Sequence, residues 1–306
     1  MTAPAPFATV SILGLGLMGG SLARALRRLP APPRVVGWSP DVGESLEALG
    51  AAALDEVADT AEEAAGAADL VVYATPLGAV LELLERHCAR WRADAVVTDV
   101  ASLKAPVVER VGALGVASGY VGSHPMVGGE GSGFAASREG LFRDATVWLA
   151  SGTGTDDARR RLEAFWRALG ARPRWSDPRE HDRLMVRASH VPQVLSSALA
   201  LALERAGVPR AELGPGGRDM TRLAASSPGM WRDLLGRSAD RLAPALREVC
   251  AALEEVAVLL ESGAVDDVAG LMEEGKTWAR AGDGGGGGAE RAGGAAAGPD
   301  EAVGGS

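Results

Sequence analysis

A glycine-rich run near the start of the chain has the spacing of a phosphate-binding turn. Residues 14–19 read GLGLMG, a G-x-G-x-x-G pattern, and they follow the apolar run ATVSIL at 8–13. The first glycine permits a tight turn, the second lets the backbone approach a pyrophosphate, and the third allows a helix to pack closely on the strand. Free N–H groups at the start of that helix favour an anion. The run therefore predicts a dinucleotide-binding site, made by Gly14, Gly16, Leu17, Met18 and Gly19.

His124 is the histidine best placed to act as an acid or base. It lies near the end of the strand-like run GYVGSHP at 119–125 and precedes the glycine-rich sequence MVGGE. Because imidazole titrates near neutral pH, we interpret His124 as a general base, with a hydrogen-bonded loop histidine as the alternative. His87 lies in the polar helical stretch ERHCAR and is interpreted as a surface residue.

The other polar candidates are weaker. His181 and His190 fall nine residues apart on one predicted helix, so they do not share a face, and no acidic or cysteine cluster completes a metal site. We therefore predict no metal. Ser102, in DVASLK at 99–104, has no nucleophile-elbow glycines beside it and is interpreted as a hydrogen-bonding residue.

Asp219 and Arg222 lie three residues apart on one predicted helical face. They predict either an ordinary exposed ion pair or a guanidinium oriented to bind a substrate carboxylate, which suits its planar fork. The residues alone leave both interpretations open.

Alternating strands and helices must position these side chains. Strand-like runs follow the glycine turn at 34–39, 69–76, 95–100, 119–125 and 146–150, with helical patterns between most of them. This alternation predicts a doubly wound parallel sheet in an α/β domain. Ligands bind such sheets at the carboxyl ends of the strands, where Thr75, Pro76, Ser102 and His124 fall.

The character of the chain changes at about Ser176. A long helix is predicted over 180–205, with further helices around 217–225, 230–235 and 239–261. Several are apolar on more than one face, which predicts packing in a homodimer or, alternatively, in a bundle within one subunit. The glycine- and alanine-rich segment beyond residue 281 is expected to be disordered. The predicted domains are therefore 1–175, 176–280 and the tail 281–306.

Composition excludes several classes of partner. The chain has 306 residues and a formal net charge of −9, which argues against nucleic acid or an anionic membrane. Its two cysteines, Cys88 and Cys250, are far apart and indicate a reducing compartment. No signal peptide or membrane-spanning run is evident, so a cytoplasmic location is expected.

Several blocks together resemble the prephenate/arogenate dehydrogenase family of tyrosine biosynthesis, over roughly residues 9–278. They are GLGLMGGSLA at 14–23, ATP at 74–76, TDVASLK at 98–104, SHPM at 123–126, SHVP at 189–192 and DMTR at 219–222 with SPGMWRD at 227–233. The resemblance implies a Rossmann-like domain followed by an all-helical dimerisation domain. Because only the glycine-rich tail follows Trp278, a regulatory ACT domain is not expected. The implied reaction is the oxidative decarboxylation of prephenate to 4-hydroxyphenylpyruvate.

The resemblance also implies roles for single residues. His124 matches the histidine that accepts the substrate hydroxyl proton, and Ser102 matches the serine that hydrogen-bonds the same region. Arg222 matches the arginine that holds a substrate carboxylate. The other residues assigned to substrate binding are His190, Glu130, Asp219 and Trp231.

The cofactor follows less directly. An acidic residue usually ends the second strand and binds the ribose of NAD, but Ser39 stands there, with Asp41 two residues on. The missing carboxylate would admit NADP, yet no arginine follows to bind a 2′-phosphate. We expect Ser39, Thr75 and Pro76 to contact the cofactor, with NAD favoured and NADP possible.

Alternative functions remain open. Arogenate or an amino analogue could replace prephenate as substrate. A β-hydroxyacid dehydrogenase would need a lysine on the helix after the domain boundary, whereas the lysines here are Lys104 and Lys276. A dinucleotide-binding protein without catalysis would be expected to lack the base or the arginine, and both are present.

Overall fold

The computed structural model describes residues 6–129 and 131–281. Its first sheet is parallel, with five strands in the order β3-β2-β1-β4-β5. The strands are β1 (Thr9–Leu13), β2 (Arg34–Trp38), β3 (Glu56–Val57), β4 (Leu70–Tyr73) and β5 (Val96–Asp99). The helices between and after them are α1 (Leu17–Leu26), α2 (Val42–Gly50), α3 (Ala61–Gly66), α4 (Leu77–His87) and α5 (Ala105–Ala113). The predicted Rossmann-like fold is confirmed.

Both faces of this sheet are buried, because successive side chains of a strand point to opposite sides. Val10 and Ile12 of β1 join one core cluster with Leu22 of α1, while Leu13 joins a second cluster with Val80 of α4. All five side chains are fully buried. Continuous apolar runs such as these are typical of parallel strands covered by helices on both sides.

A second sheet of three strands contains His124. It comprises β6 (Ser123–Pro125), β7 (Thr146–Ala150) and β8 (Arg172–Ser176), with α6 (Asp156–Ala168) before β8. β6 pairs antiparallel with β7, which pairs parallel with β8. The runs at 119–125 and 146–150 were predicted within a single sheet, but they form this separate one. β8 was not predicted, because its sequence RPRWS has two arginines and a proline and no apolar run.

The long helix expected over 180–205 is interrupted. α7 (Pro178–Met185) and α8 (Val191–Arg205) are joined by a π-helical segment, Val186–His190. Pro192 has no N–H to donate to the preceding turn, and its ring crowds the carbonyl four residues back. The turn widens, and the Val191 N–H bonds to the Val186 carbonyl, five residues back.

The remaining helices differ in extent from the sequence expectation. α9 (Pro215–Met220) is short, whereas α10 (Pro228–Glu261) runs unbroken where two helices were predicted, and α11 (Val265–Ala281) follows. Directly after α9 the Thr221 hydroxyl donates to the Gly217 carbonyl.

The chain forms two compact units that divide after Leu246. In the second unit several large apolar side chains are exposed: Leu253, Val258, Leu260, Val265, Met272 and Trp278. Within the described ranges no helix has the length and apolar character needed to cross a bilayer. Glu130 and nearly all of the tail predicted at 281–306 lie outside the described residues.

Candidate active site

The turn after β1 is built so tightly that two of its positions require glycine. Gly14 has φ +98°, and a Cβ placed on it would lie 2.7 Å from the Ala74 carbonyl oxygen beyond β4. A Cβ on Gly19 would lie 1.8 Å from the Gly14 carbonyl oxygen. The turn therefore leaves room for backbone alone, as a phosphate-binding turn requires.

The start of α1 is prepared for an anion. Gly16 is the residue before the helix, no side chain caps its N–H groups, and no acidic residue occupies its first turn. The buried Thr75 hydroxyl has no hydrogen-bond partner among the described residues. Pro76 lies next to it at the start of α4. These features fit the pyrophosphate of a dinucleotide.

Ser39 lies directly beyond β2 and is buried. Its hydroxyl donates to the Glu44 carboxylate of α2, over 2.6 Å. The structure thus places a carboxylate next to the position where the sequence has a serine.

His124 belongs to a buried chain of three polar side chains. Its Nδ1 lies 3.0 Å from His181 Nε2, and His181 Nδ1 lies 2.8 Å from Asp182 Oδ1. The Asp182 carboxylate also accepts the backbone N–H groups of Lys104 and Ala105, over 2.7 and 3.0 Å, at the start of α5. α7 thereby ties the histidine strand β6 to the loop that carries Ser102.

Hydrogen bonding assigns the tautomers in this chain. The carboxylate of Asp182 accepts a hydrogen bond from the Nδ1–H of His181, which leaves His181 Nε2 as an acceptor. His124 Nδ1–H must then donate to it, so His124 Nε2 keeps a free lone pair. Burial, and then the neighbouring His181, Lys104 and His190, hold the pKa of His124 well below its ordinary 6.5. His124 is therefore neutral at pH 7 and able to accept a proton.

A buried ion pair supports the strand beneath His124. The Lys104 ammonium donates to the Asp99 carboxylate and, over 2.7 Å, to the Ser123 carbonyl. The Tyr120 hydroxyl donates to the other Asp99 oxygen. Since each charged group has several partners, this cluster fixes the carboxyl end of β5 relative to the start of β6.

His190 ends the π-helical segment with both ring nitrogens buried and unpartnered among the described residues. Its ring meets the Trp231 indole edge-on, with centroids 5.6 Å apart, and the Trp231 Nε1 is also buried without a partner. Burial is the main reason that the pKa of His190 is lowered. Buried polar atoms without partners are costly unless a ligand or water completes them.

Ser102 is half-buried in the loop between β5 and α5. Arg222 begins a 3₁₀ turn, Arg222–Ala225, and is exposed. This turn is held against α8, where Gln193 Nε2 donates to the Leu223 carbonyl over 2.7 Å, one helical turn after His190.

The expectation that Asp219 and Arg222 share a helical face is wrong, because α9 ends at Met220. Asp219 is exposed, and the described parts of the chain contain no ion pair between the two residues.

The interpretation of His87 as a surface residue is also wrong. His87 is fully buried, with Nδ1 3.2 Å from the Tyr73 hydroxyl, which also accepts from Trp91 Nε1 over 3.0 Å. Its sequence neighbours are polar, but residues 80, 84 and 87 lie on the same inward face of α4.

Sequence reasoning missed His181, Asp182 and Lys104 as members of the site. His181 and His190 were examined as a pair, whereas the partner of His181 is on β6, 57 residues away in the chain. The available signal was the adjacent His-Asp pair at the start of the helical part. Within the described ranges no group of three or more His, Cys, Asp or Glu residues could hold a metal.

Known proteins are similar to this chain over most of its length. Residues 22–174 match the family model described as prephenate dehydrogenase, nucleotide-binding domain, and residues 177–274 match prephenate dehydrogenase, dimerization domain. The prephenate dehydrogenase of Bacillus subtilis is 31% identical over 261 residues, which cover 83% of this chain and 70% of that protein. The cyclohexadienyl dehydrogenase of Zymomonas mobilis is 29% identical, over 84% of this chain and 89% of that protein.

A solved structure extends the comparison to the fold. The prephenate dehydrogenase from A. aeolicus, crystallised with hydroxyphenyl propionate and NAD+, superposes with a TM-score of 0.82 at 25% identity. The match covers 89% of this chain and 97% of that one.

Proposed function

The chain belongs to the prephenate dehydrogenase family, and we propose that it converts prephenate to 4-hydroxyphenylpyruvate and carbon dioxide, with NAD as hydride acceptor. The observation that carries the proposal is the buried His124, whose Nε2 is free while its Nδ1 is held by His181. It lies within β6, in a chain whose glycine turn fits a dinucleotide.

The cofactor supplies one piece of chemistry: when bound, its oxidised nicotinamide accepts the hydride from the ring carbon that carries the hydroxyl. The residues that would hold its phosphates are those of the turn and the start of α1, namely Gly14, Gly16, Leu17, Met18 and Gly19. Ser39, Thr75 and Pro76 would line the rest of its site.

His124 acts on the hydroxyl group of the substrate. As the ring carbon loses its hydride, His124 Nε2 takes the hydroxyl proton, and the carbon–oxygen bond becomes a carbonyl. Loss of the ring carboxylate as carbon dioxide returns an electron pair to the ring, which becomes aromatic. The oxygen then recovers the proton from His124 as a phenol, so the base is regenerated.

His181 and Asp182 stabilise the protonated base. While His124 holds the extra proton, its Nδ1–H donates to His181, and Asp182 fixes the orientation of the His181 ring. Because these hydrogen-bonded side chains are buried and already arranged, they need no reorganisation when positive charge develops on His124.

The remaining assignments concern substrate binding. Ser102, at the loop that Asp182 ties to α7, is positioned to hydrogen-bond the substrate near the reacting hydroxyl. His190 and Trp231 offer unpartnered polar atoms that a polar substrate would satisfy. Arg222 would hold a substrate carboxylate, and its exposed guanidinium has no ion-pair partner among the described residues. Glu130 would orient that guanidinium, whereas Asp219 lies on a different element from Arg222 and forms no ion pair with it in the described parts of the chain.

The protein acts as a homodimer, since residues 177–274 match the family's dimerization domain. The exposed apolar side chains of the second unit, such as Leu253 and Trp278, would be covered in that assembly. We place the enzyme in the cytoplasm, supported by two cysteines that are both free.

The test is the appearance of NADH absorbance with purified protein, in mixtures that cross prephenate and arogenate with NAD+ and NADP+. We expect reduction of NAD+ with prephenate and a fall of about 10²–10⁴-fold in turnover for His124→Asn. If the protein turned over arogenate and not prephenate, arogenate would be its substrate. A His124→Asn variant as active as the native protein would refute the assignment of the base.

A further inference from the structure

Glu44 directs an unpaired carboxylate oxygen at the glycine turn. It lies in the first turn of α2, and its Oε2 accepts a hydrogen bond from the Ser39 hydroxyl over 2.6 Å. Its Oε1 lies 3.7 Å from the position of a Cβ on Gly16 and 3.6 Å from that of a Cβ on Gly133. The carboxylate therefore stands beside the turn, at the carboxyl end of β2.

The Ser39 hydrogen bond determines which way this side chain points. A glutamate in the first turn of an exposed helix has several rotamers available, and an anchored oxygen selects the one directed back at β2. The half-buried Glu44 makes no ion pair, and its Oε1 has no donor, within residues 6–129 and 131–281. That oxygen is free to accept hydrogen bonds from a ligand.

The position of Glu44 identifies the part of the ligand that it meets. In a domain of this kind the pyrophosphate lies at the start of the first helix, and the adenosine ribose lies next to the end of the second strand. An acidic residue directly at the end of that strand usually binds the ribose, and here Ser39 occupies that place.

We propose that Glu44, held by Ser39, binds the adenosine ribose hydroxyls and makes this enzyme selective for NAD over NADP. Of the proposed function, this inference depends only on the use of a nicotinamide dinucleotide as cofactor. A ribose 2′-hydroxyl donates a hydrogen bond to the carboxylate, whereas a 2′-phosphate brings a charge of about −1.5 to −2 and no donor at neutral pH. No lysine or arginine pairs with Glu44 in the described structure to neutralise that repulsion, and Asp41 beside it adds a further negative charge.

The test is direct binding of each nucleotide by isothermal titration calorimetry, with native protein and without prephenate. We expect the native protein to bind NAD+ more tightly than NADP+. Glu44→Gln loses a charged acceptor, so its affinity for NAD+ should fall about 10–100-fold, while its affinity for NADP+ stays equal or rises. The matched control is Glu47→Gln, which removes an exposed carboxylate from the same helix and should leave both affinities unchanged.

Each outcome decides the proposal. If Glu44→Gln has the native melting temperature and the native ratio of the two affinities, Glu44 does not select the cofactor. If both affinities fall equally, the residue supports the fold of the site without reading the ribose, and the inference is also overturned. Because prephenate is absent, NAD+ selectivity that depends on Glu44 would stand even if the substrate were a different one.

Discussion

His181→Phe tests whether His124, the proposed base, needs its buried partner. The native His181 ring lies edge-on to His124, with centroids 5.1 Å apart, and also contacts Trp148. Phenylalanine keeps an aromatic ring in this space but removes both nitrogens. His124 Nδ1–H then loses the acceptor that lies 3.0 Å away, at a site where water has little access.

The size of the effect follows from the charge that the lost hydrogen bond supports. Hydrogen bonds to charged groups contribute about 1.5–3 kcal/mol, and His124 becomes charged when it takes the substrate proton. Removing the acceptor should therefore lower kcat about 10–100-fold. KM should change little, because His124 is neutral when the substrate binds.

The assay is the steady-state rate of NADH formation with saturating prephenate and NAD+. His181→Gln should recover part of the lost kcat, since its side-chain oxygen can accept the same proton. Arg183→Gln, an exposed position on the same helix, should retain native activity. In the double variant with His124→Asn, the His181→Phe change should have almost no further effect, because the two residues act as a unit.

Two results would refute this reasoning. One is a His181→Phe enzyme with native kcat. The other is an effect of the same size whether or not His124 is present, which would assign His181 a role that does not pass through the base.

Three further expectations rest on other parts of the molecule. Arg222→Ala should raise KM for prephenate about tenfold or more while Arg205→Ala does not, and an unchanged KM would reject the carboxylate assignment. Gly19→Ala should abolish NAD+ binding in calorimetry and lower the melting temperature, because its Cβ would lie 1.8 Å from a backbone oxygen, whereas the open position Gly112 should tolerate alanine. Burial lowers the pKa values of three histidines, His87, His124 and His190, below 6.5, so the unfolded chain binds more protons as the pH falls below that value. The free energy of unfolding, measured in urea, should have its full value above about pH 7 and fall by up to about 1.4 kcal/mol per histidine per pH unit below 6.5. Equal free energies of unfolding at pH 7.5 and 5.5 would contradict this expectation.

The parts of the site that depend on local sequence were predictable. The glycine turn follows a strand and opens a helix within a few residues, so its spacing alone predicts a dinucleotide site. His124 was singled out as a residue at a strand end of the parallel sheet, whereas the structure has it within β6 of the second sheet. Its role as the base stays a prediction. These inferences needed no knowledge of how distant segments meet.

Contacts between distant segments were not predictable in the same way. The bond between His124 and His181 joins a strand to a helix 57 residues later, and nothing in the local pattern of either residue signals the other. Glu44 was missed because a rotamer fixed by Ser39, and not its place in the sequence, brings its carboxylate to the turn. His87 was wrongly predicted to be a surface residue, because the prediction used its polar sequence neighbours and not the face of α4 on which it lies.

The Asp182 carboxylate hydrogen-bonds both to His181 and to the backbone at the start of α5. One side chain thereby joins α7 to the start of α5. If these two helices separated, His181 would lose the partner that orients its ring toward His124. The hydrogen-exchange rates of the Lys104 and Ala105 backbone amides consequently measure how often their hydrogen bonds to Asp182 are broken.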